Sequence, residues 1–257
     1  MDNVNTIPLY GLIGYPLKHS FSPEYFKRKF AGEHIHAQYQ AFPLQHIHEL
    51  PSLLHKHPNL KGLNVTIPHK KTIIPYLDRL HASAENAQAV NCIKIKNGIT
   101  IGYNTDVYGF TQSLIPLLKP HHTHALILGT GGAAYAVGYA LKKLHISFIY
   151  VSRKPSLGNI SYVDITPEIL QKYLLIIQTT PLGMYPDLHA APQLPYEALT
   201  PAHLAYDLIY NPEETLFLQK AKKSGASSKN GLEMLHLQAN ASWEIWNDRE
   251  NILTDFY

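Results

Sequence analysis

The stretch ALILGTGGAAYAVGYALKKLHISFIYVSRK, Ala125 to Lys154, decides the fold. It begins with a short apolar run, turns through Gly129, Gly131 and Gly132, continues as a helical stretch, and ends in a second apolar run followed by basic residues. Strand, glycine turn, helix and strand in that order bring backbone amides up to a pyrophosphate at the positive end of the helix. The register reads GTGGAA, so Ala134 stands where a G-x-G-x-x-G motif has its third glycine, an accepted replacement. Gly129, Thr130, Gly131, Gly132 and Ala133 form the candidate dinucleotide loop. At the end of the second strand an acid would accept hydrogen bonds from the ribose diol of NAD. The chain has Ser152, Arg153 and Lys154 there, so a 2′-phosphate would meet a hydroxyl, a guanidinium and an ammonium. The cofactor this pattern favours is NADP.

On the C-terminal side, YLLIIQTT (Tyr173–Thr180) and AYDLIY (Ala205–Tyr210) continue a parallel sheet with helices between its strands. On the N-terminal side, YGLIGYP, AQYQAFPL and GLNVTIP give a βαβα rhythm over the first hundred residues. Within GLNVTIPHKK, Leu63, Val65 and Ile67 face one way and Asn64 and Thr66 the other, with Pro68 ending the strand. NCIKIKNGITIGY (Asn91–Tyr103) is two alternating runs joined by Asn97-Gly98, which predicts a hairpin. Val107, Phe110, Leu114 and Leu117 mark a helix entered through NTD, with Thr105 or Asp106 as its cap. LKPHHTH (Leu118–His124) links the two units. The closing GLEMLHLQANASWEIWN is read as a helix with Met234, Leu237, Ala241 and Ile245 on one stripe.

At 257 residues, 45% hydrophobic and 16% charged, the chain has the makeup of a soluble globular protein of one large or two ordinary domains. The net charge of +3, with no long run of like charge, argues against nucleic acid as a main partner. The opening MDNVNTIPLYGLIG lacks a basic leader and a long apolar stretch, and no later segment is apolar enough to span a membrane. A single cysteine, Cys92, suits a reducing compartment, so cytoplasm is the expected location; the residue itself reads as a small packed side chain. The sixteen histidines, including His46/His48, His55/His57 and His121/His122/His124, read as solvated surface rather than metal ligands, and no metal is expected.

In LKHSFSPEYF (Leu17–Phe26), Ser22, Pro23 and Glu24 read as N-cap, first helical residue and first-turn acid. Ser20 sits just before, so both hydroxyls can serve an anion such as a ligand carboxylate. Hydride exchange at a carbonyl also needs a proton donor and acceptor beside the reacting carbon. Lys70, just past the NVTIP strand, and Asp106, at the start of the helix after the hairpin, both lie where α/β proteins gather ligands. A first helical turn at Lys70 would lower its pKa through dipole and desolvation, with Asp106 opposing the shift while orienting the ammonium.

Together these motifs resemble the shikimate dehydrogenase family over nearly the whole chain. GYPLKHSFSP, NVTIPHKK, AVNC, GYNTD, LGTGGAA, VSRK, QTTPLGM, DLIYNP and NGLEMLHLQ follow the family's order. The resemblance implies an α/β fold of two domains: an N-terminal substrate domain, residues 1–105 with 233–257 returning to it, and a Rossmann-type doubly wound NADP domain, residues 106–232. It further implies that Ser20 and Ser22 hold a carboxylate with Tyr210. Asn64, Thr66, Asn91, Asp106 and Gln238 would bind ring hydroxyls. Lys70 would be the acid/base with Asp106 beside it, and Thr179, Gly183, Met184 and Gly231 would border the cofactor. The implied reaction is NADPH-dependent reduction of 3-dehydroshikimate to shikimate in aromatic amino-acid synthesis, by a monomer or homodimer. Cys92 replaces the usual threonine, Tyr103 a common aspartate, Ser152 the clamp asparagine and Thr130 the usual alanine. Two alternatives stay open: a quinate/shikimate dehydrogenase preferring NAD, and a non-catalytic protein that binds shikimate and NADP to regulate a partner.

Overall fold

The computed structural model describes residues 7–18, 20–154 and 158–256. The Met1–Thr6 opening and His19 of the LKHSFSP stretch lie outside the described residues. The chain divides into two units, Met1–Thr105 with Ala239–Tyr257, and Asp106–Gln238.

The first unit carries a mixed six-stranded sheet. Its strands are β1 (Leu9–Gly14), β2 (Gln38–Pro43), β3 (Leu60–Val65), β4 (Arg79–Leu80), β5 (Cys92–Lys96) and β6 (Ile99–Tyr103), in the order β2-β1-β3-β5-β6-β4. Helices α1 (Phe21–Gly32) and α2 (Leu50–Lys56) carry the chain from β1 to β2 and from β2 to β3, and those strands pair in parallel. α3 (Ala82–Ala87) precedes the antiparallel hairpin of β5 and β6. The hairpin turns at Asn97 (φ 53°) and Gly98 (φ 78°), the left-handed pair that an Asn-Gly turn supplies at little steric cost. Leu63 and Val65 enter the core as their alternation requires. Ile67 does not: β3 ends at Val65, the chain turns, and Ile67 is 65% exposed.

The second unit opens with α4 (Asp106–Leu114), which starts at Asp106 itself. Its strands are β7 (His124–Leu128), β8 (Ser147–Val151), β9 (Asn159–Ile160), β10 (Leu175–Gln178), β11 (Leu204–Asp207) and β12 (Ser227–Lys229). All pair in parallel, in the order β12-β11-β10-β7-β8-β9. This is the doubly wound arrangement, whose strand order reverses between β7 and β10. The crossovers are α5 (Gly132–Lys143), α6 (Pro167–Lys172) and α7 (Leu216–Lys223). β7, β10 and β11 read as unbroken apolar runs because helices cover both faces, and nearly every residue in them is buried.

The last helix, α8 (Leu232–Trp246), belongs to both units. Its first half packs on α4 at Gly109, whose Cβ would meet the carbonyl of Met234 at 2.7 Å. In its second half Trp246 stacks on Tyr10 of β1 and Trp243 meets the same ring edge-on, and Trp246 Nε1 donates to the Ile93 carbonyl at 2.9 Å. Beyond it, the buried Lys94 ammonium pairs with Asp248 at 2.6 Å and Glu250 at 2.5 Å, fixing the C-terminal segment to the hairpin. No helix among the described residues is long and apolar enough to cross a membrane.

Candidate active site

In the first unit the candidate residues collect at the carboxyl ends of β1 and β3. Ser20 is the N-cap of α1, and Ser22 lies inside the first turn, one residue before Pro23. The expected cap therefore moves from Ser22 to Ser20. A proline is accommodated anywhere in a first turn because amides there have no intrahelical acceptor, so the Ser-Pro pair does not fix the start. No side-chain cap bond ties down the Ser20 hydroxyl.

Thr66 follows β3, its amide bonded to the Ile13 carbonyl at 2.9 Å, which closes the two strand ends on each other. Lys70 is half-buried in a run of turns from Ile67 to Ile73 and not in the first turn of an α-helix. Only a 3₁₀ turn, Ile74–Tyr76, follows. Lys70 is held instead by its own carbonyl, which accepts from the Val90 amide at 2.7 Å.

Next to Val90, Asn91 starts a buried set of neutral polar side chains. Asn91 Oδ1 accepts from the Thr105 amide at 2.7 Å, and Asn91 Nδ2 donates to Thr105 Oγ1 at 2.9 Å. Thr105 Oγ1 lies 3.3 Å from Ser242 Oγ of α8. Asn64 Nδ2 donates to Ser242 Oγ at 2.9 Å and to the Asn91 carbonyl at 3.4 Å, and Asn64 Oδ1 accepts from the Tyr39 hydroxyl at 2.8 Å. Cys92 sits against this set, and burial pushes its thiol up to about 12, as suits a packed, unreactive cysteine. The sequence reading missed Tyr39, Thr105 and Ser242 as members. Tyr39 and Ser242 lie in an ordinary strand and helix and Thr105 in the short link from β6 to α4, and only the pairing of distant segments reveals them.

In the second unit the candidates collect where the strand order reverses. Gly129 follows β7 with φ +116°, and a Cβ there would come within 2.6 Å of Thr179 Oγ1, at the end of β10. Thr179 in turn bonds the Leu128 carbonyl through its amide (3.0 Å) and hydroxyl (2.7 Å), so the two central strands end in one locked corner. Gly131 is the N-cap of α5 without a side-chain cap bond, and the space where its Cβ would stand is open. A bare, uncapped helix start beside an open cradle fits a pyrophosphate, with Gly132 and Ala133 supplying the first amides. Ala134 is buried. The glycine that lets helix and sheet approach is Gly138, one turn on, where a Cβ would overlap the Tyr150 hydroxyl of β8.

Ser152 closes the basic loop by accepting from the Lys154 amide at 3.2 Å, leaving Arg153 and Lys154 exposed at the end of β8. Gly183 is buried, while Met184 is 42% exposed. Gly231 bonds the Ile209 carbonyl at 3.0 Å, beside Tyr210, whose hydroxyl pKa is raised by burial. Asp106 is buried at the start of α4, and Gln238 is buried on α8 with Nε2 donating to the Leu235 carbonyl at 2.9 Å. Three of the histidines are not solvated but buried: His69 Nε2 meets the Leu44 carbonyl at 2.7 Å, His122 accepts from the Lys119 amide at 3.0 Å and meets the Ala202 carbonyl at 3.1 Å, and His203 accepts from the Thr200 amide at 3.0 Å and meets the Leu170 carbonyl at 3.0 Å.

A doubly wound parallel sheet, a glycine cradle at its reversal point and a basic clamp without an acid define a dinucleotide-binding α/β protein whose chain also carries a second α/β unit. Residues 12–93 match the family model described as the shikimate dehydrogenase substrate binding domain. The NADP(+)-dependent shikimate dehydrogenase of Desulforamulus reducens is 36% identical, across 92% of this chain and 88% of that one. The crystal structure of the Aquifex aeolicus shikimate dehydrogenase superposes with a TM-score of 0.83 at 33% identity, covering 100% of this chain and 99% of that one. That of Thermus thermophilus, in complex with NADP(H) and shikimate, gives a TM-score of 0.83 at 27% identity, over 98% and 100% of the two chains. The chain belongs to the shikimate dehydrogenase family.

Proposed function

We propose that this protein is an NADP-dependent shikimate dehydrogenase that interconverts 3-dehydroshikimate and shikimate. The reading rests above all on one observation. In a chain of this family, Ser20, Ser22, Asn64, Thr66, Lys70 and Asn91 converge on the carboxyl edge of one sheet, while a glycine cradle with a basic clamp occupies the same edge of the other. NADP, when bound, supplies or receives the hydride. Gly129, Thr130, Gly131, Gly132 and Ala133 would hold its pyrophosphate, and Ser152, Arg153 and Lys154 its 2′-phosphate. Thr179, Gly183, Met184 and Gly231 would border the remainder.

Ser20 and Ser22 donate to the substrate carboxylate with Tyr210, and Asn64, Thr66, Asn91, Asp106 and Gln238 address the ring hydroxyls. Lys70 Nζ delivers the proton to the carbonyl oxygen as it becomes a hydroxyl, and takes it back in the reverse direction. The chain's connectivity supports pairing Lys70 with Asp106. The Lys70 carbonyl is bonded to Val90, the next residue Asn91 is bonded to Thr105, and Asp106 follows Thr105 directly. Lys70→Ala is expected to lower kcat by about a thousandfold, the usual worth of a positioned acid/base, while shikimate affinity changes little. Steady-state kinetics with a separate binding titration measures both, and an unchanged kcat would remove Lys70 from the chemistry.

A further inference from the structure

Lys70 stands in a stretch of chain outside any strand or α-helix. Residues 67–73 run through successive turns, so the backbone there is held by individual bonds and not by a regular ladder. The residue next to Lys70 supplies one of these bonds through its side chain. His69 is 3% exposed, and its Nε2 meets the Leu44 carbonyl at 2.7 Å. A carbonyl only accepts, so the proton of this contact is on Nε2. Leu44 is itself fixed, its amide donating to the Gly14 carbonyl at the end of β1 at 3.1 Å. The His69 main chain is bound as well, its amide to the Thr66 carbonyl at 2.9 Å and its carbonyl to the Ile73 amide at 3.0 Å. Lys70 therefore sits between two ties: the His69 ring on the exit of β2, and its own carbonyl on the Val90 amide at 2.7 Å.

Two other buried histidines make the same kind of bond, and their placement isolates what is particular to His69. His122 meets the Ala202 carbonyl at 3.1 Å, and His203 the Leu170 carbonyl at 3.0 Å. They stand just before β7 and β11, at the amino edge of their sheet, opposite the edge where α/β sheets gather ligands. Each also accepts at Nδ1 from the amide three residues back, which closes a local turn. These two staple the scaffold, whereas His69 staples the segment that carries the acid/base.

Resting on the shikimate reading above, we propose that His69 is a positioning residue, whose bond to Leu44 holds the turn that sets Lys70 against the reacting oxygen. It acts through Lys70 and has no contact with the reacting atoms. Thr66 is held separately, by the Ile13 carbonyl, so loss of the tie is expected to impair proton delivery and to spare substrate binding.

The test is run on the full chain. His69→Phe fills a similar space without a donor and is expected to lower kcat about thirtyfold, as a proton donor displaced by a fraction of an ångström would, with shikimate affinity within about twofold of wild type. His69→Gln, whose Nε2 stands as many bonds from Cβ as that of histidine, should restore kcat to within about threefold of wild type. In a Lys70→Ala background, His69→Phe should lower kcat by less than about twofold more, because the residue it positions is gone. Should His69→Phe not fold, His69→Asn, one bond shorter than glutamine, takes its place with the same expectations. A kcat left unchanged, an affinity loss as large as the loss in kcat, no rescue by glutamine, or full additivity with Lys70→Ala would each overturn the assignment. Failure of the wild-type chain to oxidise shikimate would strike the shikimate reading instead, so the two failures are distinguishable.

Discussion

The two sheets present their carboxyl edges in opposite ways. In the first unit the strand ends carry side chains already bonded to one another, Asn64 and Asn91 with Tyr39, Thr105 and Ser242. In the second the strand ends carry glycines and uncapped amides, with Thr179 closing the corner behind Gly129. An edge lined by side chains fixes a few donors and acceptors through the packing behind them, which suits a small polyhydroxylated acid. An edge lined by backbone presents an array of N–H groups whose direction does not depend on side-chain identity, which suits an extended anion. The two also differ in how they respond to pH. The network of the first unit is made of amides and hydroxyls, whereas the second buries Asp207 completely at the end of β11.

Asp207 offers the largest expected effect. Burial pushes its carboxyl up to about 7, against the pull of the Thr215 hydroxyl at 2.5 Å and the Ile209 amide at 3.0 Å. A carboxyl whose folded pKa is raised favours folding while protonated. That stability is present below the ordinary carboxylate pKa and is lost as pH climbs to about 7. Asp207→Asn is expected to abolish this loss, so the gap between wild type and variant should change by about 4 kcal/mol between pH 4 and pH 7. Urea unfolding at several pH values measures the gap, and hydrogen exchange should localise the change to peptides of the second unit. Localisation to the first unit would break the contrast between the two interiors.

Gly129→Ala comes next in size. The left-handed φ and the contact with Thr179 leave no room for a methyl group, so the cradle must shift. The KM for NADP is expected to rise about a hundredfold with that for shikimate little changed, as initial rates at varied concentrations of each would show. Equal losses for both ligands would mean that the backbone-lined edge does not act separately from the other. Arg153→Ala is the smallest of the three. Loss of one charge-assisted contact should lower the ratio of kcat/KM for NADP over NAD by about thirtyfold. A ratio left intact would shift the clamp to Ser152 and Lys154.

The same contrast governs what could be read in the sequence. The second unit was legible almost throughout, because unbroken apolar strands and glycines at strand ends are local signals, and the loop from Gly129 to Ala133 forms where they predict. In the first unit the Asn97-Gly98 hairpin was equally plain. Its polar network was not, since Tyr39, Asn64, Asn91, Thr105 and Ser242 come from segments far apart, and nothing local marks Tyr39 or Ser242 as partners. Local rules also misplaced two details. Ser-Pro suggested a cap at Ser22 although the helix starts at Phe21, and alternation carried β3 on to Ile67 although the chain turns after Val65. Both lie at element ends, where competing local geometries differ little in energy.

The most direct test is an initial-rate measurement on the full chain, following the absorbance of reduced nicotinamide with shikimate and NADP, then with NAD in place of NADP and quinate in place of shikimate. The expected result is sustained NADP reduction with shikimate, at a kcat/KM at least about tenfold above either substituted pair, as the basic clamp and its missing acid require. Absence of NADP reduction with shikimate, or a preference for NAD with quinate, would contradict it.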